Sequence, residues 1–389
     1  MQKMIVVGSV ADNPFVEDIA HYLRQHEDYS DLISLKSFLN NEFCPRFIID
    51  DQDWERIGKK LAGVTVLLVS TGIGQFSRDD LAMRNFLIAR AAKDNGAQRV
   101  ILLEPDLFYS AQDRGPRVGQ GVTKYQRDAA DYKKFDGQPF SSRLYAELLK
   151  VAGVDEVVTV HNHSTSVEST FLDRFSGHFH NLLPADVYAD YMRDSDIVNE
   201  KNLVLCAPDK GAYSFVREVQ RAMGGGVRLL KMNKDRRDER EVTIKVAEDS
   251  EASLTDVEGR DVVVLDDMVR TGITHLECCK LVRSGKPRRI ILFVTHFYSN
   301  REGRANLNDD VIDEIVTTSS IPEILNRDIQ GRLRHKMVVL RISRWISAHI
   351  QKMIDPDTDS FSGPLYHEDM SSKNPRWKGK MGPLFSSVE

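Results

Sequence analysis

Residues 262–274 read VVVLDDMVRTGIT, a stretch in which three kinds of signal meet. Val262–Leu265 is a continuous apolar run, the pattern of a strand buried on both faces of a parallel sheet. Two adjacent acids, Asp266 and Asp267, end the run, and small and hydroxyl residues then lead into a helix. Backbone amides of Thr271, Gly272, Ile273 and Thr274 can point together at one phosphate, helped by the N-terminus of the following helix. The hydroxyls of Thr271 and Thr274 add donors. The two carboxylates then stand where sugar hydroxyls, or a cation bound to them, would lie beside that phosphate. The plainer reading is a capped strand-to-helix turn with solvated acids; it leaves the joint occurrence of apolar strand, acid pair and TGxT turn unexplained.

Working outward, MIVVGSV (4–10), VTVLLVS (64–70), RVILLEP (99–105), VDEVVTVHNH (154–163), NLVLCAPD (202–209) and RRIILFVTH (288–296) repeat the apolar pattern. Helical patterns, such as Phe15–Arg24 and Asp79–Asn95, separate them. This alternation predicts an α/β protein with mainly parallel sheets covered by helices, and its extent suits two domains better than one. VLLVSTGIG (66–74) echoes the Thr-Gly-Ile of the later loop without its acid pair, as a duplicated but altered copy would. The composition, 41% hydrophobic and 29% charged over 389 residues, is that of globular domains. A net charge of −5 argues against a general nucleic-acid binder. Cys44, Cys206, Cys278 and Cys279 form no CxxC pair, so neither a zinc site nor a disulfide framework is indicated. With no targeting segment or membrane span in view, a soluble cytoplasmic protein is expected.

Other candidates are weaker alone. His161 and His163 are two apart on an expected strand and would share a face, as a cation or phosphate site requires; ordinary strand-end histidines are an equal reading. Asp209 follows Pro208 at a strand end, where ligands gather in parallel sheets, or else it is a turn residue or helix cap. KMNKDRRDERE (231–241) is charge-dense without apolar periodicity and reads as a solvated loop. Residues 113–138 read as a long polar loop, and the proline-containing tail, 354–389, as a segment without its own core.

Taken in order, these motifs resemble the ribose-phosphate diphosphokinase (phosphoribosyl pyrophosphate synthetase) family over about residues 4–350. The 262–274 segment is similar to the phosphoribosyl-diphosphate loop that this family shares with type I phosphoribosyltransferases. NLVLCAPDKGA (202–212) resembles the strand whose aspartate binds metal, and VVTVHNH (157–163) the strand ending in the catalytic, metal-facing histidine. FLNNE (38–42) matches the loop receiving the adenine of ATP bound by a neighbouring subunit. The family's mobile catalytic loop carries Lys-x-Arg, here Lys234 and Arg236.

The resemblance implies two tandem phosphoribosyltransferase-like domains, 1–165 (with 338–353 packing back on it) and 166–337. It implies an ATP-dependent enzyme of nucleotide biosynthesis that transfers diphosphate to the anomeric hydroxyl of ribose 5-phosphate, releasing AMP. Asp266, Asp267 and residues Arg270, Thr271, Gly272, Ile273 and Thr274 would bind the sugar phosphate. Phe38, Asn40, Glu42 and Gln112 would bind ATP; His163 and Asp209 would hold magnesium; His163, Lys234 and Arg236 would be catalytic. A homo-oligomer, a dimer or a hexamer of dimers, with an ATP site shared between subunits, is implied as well; nucleic acid and membrane are not.

Three departures bear on the substrate. The phosphate loop commonly reads Asp-Thr-small-Gly-Thr, whereas here Arg270 replaces the acid and Ile273 the glycine. Ala111 stands where the family has an ATP-contacting arginine, leaving Gln112 and, nearby, Arg114 and Arg117. The loop that follows is about a dozen residues longer than is usual in the family. Three alternatives therefore stand beside ribose 5-phosphate transfer: a larger 5-phosphorylated ribose such as ADP-ribose as acceptor, a phosphoribosyltransferase, and a catalytically silent regulatory homologue.

Overall fold

The computed structural model describes residues 3–72, 74–123, 125–195, 202–236, 242–358 and 361–369, with only the backbone at Asp235, Arg236 and Val242. The chain forms two compact units.

The first unit comprises residues up to Leu183 together with Ser320–Glu323 and Ile342–Tyr366. Its elements are β1 (Lys3–Gly8), α1 (Pro14–Tyr22), β2 (Ile33–Ser37), β3 (Phe43–Phe47), β4 (Val64–Val69), α2 (Arg78–Asp94) and β5 (Arg99–Leu103). They continue with α3 (Ala129–Lys134), α4 (Ser141–Ala152), β6 (Glu156–Val160), α5 (Thr165–Arg174) and β7 (Phe179–Leu182). The sheet runs β1-β4-β5-β6-β7, every pairing parallel. All residues of β4 and β6 are buried, which is why their sequences are apolar runs rather than alternations. Expected at 165/166, the division falls at Leu183 because α5 and β7 extend the first sheet beside β6.

In the second unit lie α6 (Ala185–Asp194), β8 (Leu203–Ala207), α7 (Tyr213–Ala222), β9 (Arg228–Arg236), β10 (Val242–Val246), β11 (Asp261–Val269) and α8 (Ile273–Ser284). β12 (Arg289–Phe297), α9 (Arg301–Leu307), β13 (Glu314–Thr318), α10 (Arg327–Gln330) and β14 (Met337–Arg341) follow. The chain then returns to the first unit with α11 (Ser343–Ile354), whose Ser343 hydroxyl donates to Asp18 of α1 at 3.2 Å. The described part of the tail ends in β15 (His367–Glu368), an antiparallel edge on β14. The second sheet runs β10-β9-β8-β11-β12-β13-β14-β15, antiparallel only at its two ends. Among the described residues no helix is long and apolar enough to cross a membrane.

Two expected loops have more structure than their charge foretold. Residues 231–236 belong to β9, which pairs with β10 from Arg236↔Val242 to Met232↔Val246. Leu229, Leu230 and Met232 are buried, so the apolar start of the strand carries its charged end along the sheet; residues 237–241 lie outside the described ones. In the polar stretch 113–138 the core is an ion pair. Arg127, almost enclosed, meets Asp131 at 2.5 Å and donates to the carbonyls of Gln120 (2.8 Å) and Gly115 (2.9 Å). Arg114 is engaged there too, with Tyr125 at 2.7 Å and Asp131 at 3.4 Å, which makes it a structural cation of this segment.

Glu104, just past β5, is fully buried and accepts from Phe108 N (2.8 Å), Tyr145 Oη (2.9 Å) and Asn85 Nδ2 (3.1 Å). Desolvation pushes its carboxyl up from 4.5 to about 8. The folded state therefore keeps a proton that the unfolded state releases, and this group's contribution falls as pH rises from 4.5 to about 8. Melting temperatures of the wild type and Glu104→Gln, compared at pH 5.5 and pH 8 (~ values within that window), should show the smaller acid-to-neutral loss in the variant. Parallel losses would contradict this.

Candidate active site

The site is built on the unequal reach of neighbouring strands. β11 pairs with β12 as far as Val269↔Phe297, whereas its pairing with β8 ends at Val264↔Cys206. The last residues of β11 thus have one open edge at the carboxyl end of a parallel sheet, the place where α/β proteins bind ligands. The acid pair lies inside the strand rather than after it. Pairing with β12 holds the backbone extended to Val269, and only Arg270–Gly272 is left as the turn into α8.

The two acids have different surroundings. Asp266 is only 9% exposed; its Oδ1 accepts from the Asp267 amide (2.9 Å) and its Oδ2 faces His275 Nε2 at 2.8 Å. Asp267 is half-buried, and its Oδ1 accepts from the Met268 amide at 2.7 Å. Asp266 therefore fastens the strand end to the first turn of α8, and Asp267 is the acid that faces outward. His275 was not singled out from sequence. Its only signal there is a polar residue directly after the TGIT turn, and only the fold places it against Asp266. Its Nδ1 is buried with no partner among the described residues.

Gly272 caps α8 with φ 75°, a conformation natural to glycine, and an added Cβ would lie 3.0 Å from Leu307 Cγ. Among the described residues, the amides of Thr271, Gly272, Ile273 and Thr274 donate to no protein acceptor. Together with the helix terminus these amides have the chemistry of a turn suited to an anion. Arg270 is exposed, with no carboxylate at ion-pair distance among the described residues.

β9 delivers Lys234 to this turn. Met232, two residues earlier on the same strand face, is in the core, and Lys234 extends beyond it to donate to Thr274 Oγ1 at 2.6 Å. Its Nζ lies 4.0 Å from Asp209 Oδ2. Asp209 in turn accepts from Gly211 N at 2.8 Å, so it shapes the turn into α7 while keeping an oxygen toward Lys234. Tyr213, another residue not picked out from sequence, donates to Met232 O at 2.7 Å and ties α7 to β9. Asp209, Lys234, Thr274 and the acid pair of β11 are therefore assembled within one unit. Arg236 ends β9, and its side chain is outside the described structure.

The remaining candidates belong to the first unit. The strand expected to carry both histidines stops at Val160; His161 has φ 45° and is buried, whereas His163 is exposed on the loop to α5. They do not share a strand face, because the left-handed turn at His161 breaks the alternation. Ser164, next to His163, donates to Asp113 at 2.6 Å and fastens that loop to the polar segment. Phe38, Asn40 and Glu42 occupy the tip of the β2–β3 hairpin, with Phe38 60% exposed and Asn40 Oδ1 accepting from Glu42 N at 3.2 Å. Gln112 is exposed, and its Oε1 accepts from Ser141 at 2.5 Å.

Comparison with known proteins gives this arrangement a context. The phosphoribosyl transferase domain model matches residues 185–325. Ribose-phosphate pyrophosphokinase 2 of Saccharomyces cerevisiae is 24% identical over 277 residues, 70% of this chain and 76% of its own length. The ribose-phosphate pyrophosphokinase of Methanopyrus kandleri is 28% identical over 274 residues, 70% of this chain and 81% of its own. Over about 70% of its length the chain is thus similar to ribose-phosphate pyrophosphokinases. The phosphoribosylpyrophosphate synthetase structure from Mycobacterium smegmatis shares the fold, with a TM-score of 0.70 at 20% identity over 91% of this chain and 99% of the other. The matched domain contains Asp209, Lys234, Arg236 and the whole 262–274 loop, while the hairpin tip and His163 lie outside it.

Gly272→Ala should combine a strained left-handed backbone with a clash against Leu307, a cost of about 1–2 kcal/mol. Thermal unfolding should register it, and a melting temperature equal to that of the wild type would contradict the account.

Proposed function

We propose that this protein is a diphosphokinase of nucleotide biosynthesis, transferring the β,γ-diphosphate of ATP to the anomeric hydroxyl of ribose 5-phosphate to give phosphoribosyl diphosphate and AMP. The reading is carried by one juxtaposition: a turn with undirected amides and a lysine at Thr274, beside an acid pair at an open strand end. The turn takes the 5-phosphate, and Asp267 orients the ribose hydroxyls while Asp266 is held by His275. The anomeric oxygen attacks the β-phosphorus in line and AMP leaves. Lys234 and Arg236 stabilise charge on the phosphoryl oxygens, the electrostatic work that dominates such transfers. Phe38, Asn40, Glu42 and Gln112 contact ATP, in a cytoplasmic homo-oligomer that shares this site between subunits.

Magnesium fits the donor chemistry. Among the described residues no group of three protein ligands is present, but magnesium commonly binds through one or two carboxylates, keeping water and substrate phosphates as its other ligands. Asp209, with an oxygen not used by the Gly211 amide, would hold it, and when bound it would neutralise charge on the ATP phosphates; the family resemblance implies His163 as a further ligand.

Arg270, exposed and without an ion pair among the described residues, favours a second reading of the acceptor. A guanidinium beside the phosphate turn suits a second phosphoryl group, so a larger ester such as ADP-ribose would gain a contact that ribose 5-phosphate does not use.

AMP formation with each acceptor, with products identified by mass, tests both readings. AMP release without any base acceptor separates the diphosphokinase from a phosphoribosyltransferase. Its absence with either acceptor would leave the silent regulatory homologue. Lys234→Ala and His163→Ala should each lower turnover by about a hundredfold or more without loss of folding; near-normal rates in both would sink the assigned roles. Arg270→Asp should change the ratio of activities with the two acceptors, and an unchanged ratio removes Arg270 from specificity.

A further inference from the structure

An anion-binding turn faces a problem of direction. Each residue carries a carbonyl as well as an amide, and a carbonyl oxygen aimed at a phosphate repels it. The carbonyls of the turn must point elsewhere and be satisfied there. Here α9 receives them one after another. Asn300 Nδ2 donates to Arg270 O at 2.6 Å, and Asn306 Nδ2 donates to Thr271 O at 2.7 Å. Gly303 allows the close approach, since a Cβ there would stand 2.6 Å from Arg270 O. Leu307 packs under Gly272, 3.0 Å from the position of an added Cβ. Three consecutive residues of the turn are thus held by one short helix.

We infer that Asn300 and Asn306 are positioning residues for the acceptor's phosphate, turning the carbonyls of Arg270 and Thr271 onto α9 so that the amides of the turn face the ligand. This rests on the reading of the turn as the site of the 5-phosphate. Asn300 has two separable tasks. Its Oδ1 accepts from Gly303 N at 2.7 Å and caps α9, while its Nδ2 holds the turn. The helix is itself anchored: Ser299 donates to Ile329 O at 3.0 Å, and Tyr298 N donates to Val269 O at 3.0 Å, closing the base of the turn. A brace of this kind acts on the acceptor's turn, because among the described residues its two side-chain amides donate to Arg270 and Thr271 rather than to the lysine strand or Asp209.

The two tasks allow a decisive substitution. Asn300→Asp retains a good helix-capping oxygen but replaces the donor with an acceptor facing Arg270 O. Its melting temperature should match that of the wild type, the KM for ribose 5-phosphate should rise about tenfold or more, and the KM for ATP should be unchanged. Asn306→Leu, which leaves the cap alone, should show the same split and serves if Asn300→Asp folds poorly. Calorimetric titration of ribose 5-phosphate gives the binding loss without turnover. Unchanged acceptor KM in both folded variants, or a fall in kcat alone, would overturn the inference while leaving the diphosphokinase reading intact. A wild-type protein that neither binds ribose 5-phosphate nor forms AMP from it would overturn the function reading and the inference with it.

Discussion

The pairing of β11 with β12 beyond the end of β8 is the constraint from which the rest of the site follows. Had both neighbours of β11 ended together, the chain would leave the sheet at Leu265 and the acids would lie on a loop. Pairing on one side keeps Asp266 and Asp267 at fixed positions on a rigid strand, while the missing neighbour on the other side leaves room for a ligand. The turn that follows is short for the same reason. A strand held as far as Val269 must reach a helix starting at Ile273 through Arg270–Gly272, and such a turn needs the positive φ of Gly272.

Around that strand the site is fixed from three directions. His275 holds the inner acid, β9 brings Lys234 to Thr274, and α9 takes the turn's carbonyls. Rigid positioning of this kind suits a reaction whose catalysis is largely placement and charge compensation. It also divides labour between the acids: Asp266 is a strut, and Asp267 is left the more exposed of the two. The same logic applies to the polar segment 113–138. It is folded around Arg127 and Asp131 and fastened to the loop of His163 through Asp113 and Ser164.

The architecture was largely legible in the sequence, because buried parallel strands leave runs such as VTVLLVS and VVVL that only a two-faced core requires. Individual features were less so. The charge-rich 231–236 segment is a strand because Leu229, Leu230 and Met232 anchor it, a context that its own composition conceals. His161 and His163 lost their shared face to a single left-handed residue, which the apolar pattern before it does not foretell. Arg114 fits a ligand-facing role by position in the chain, yet it is occupied by Tyr125 and Asp131.

By itself, then, the sequence determined the α/β class, the strand that carries the acids and the glycine turn after them, each encoded locally through apolar runs and turn chemistry. Asp209 and Lys234 entered only through the family resemblance, because their own surroundings read equally as a turn and a solvated loop. Only the tertiary structure decided which acid faces outward, that His275 meets Asp266, and that Asn300 and Asn306 hold the turn. Those contacts join residues whose spacing in the chain carries no periodic signal: α9 and the turn it holds are separated by α8 and β12. Their pairing depends on where the strands end, and strand ends are set by neighbours in the sheet.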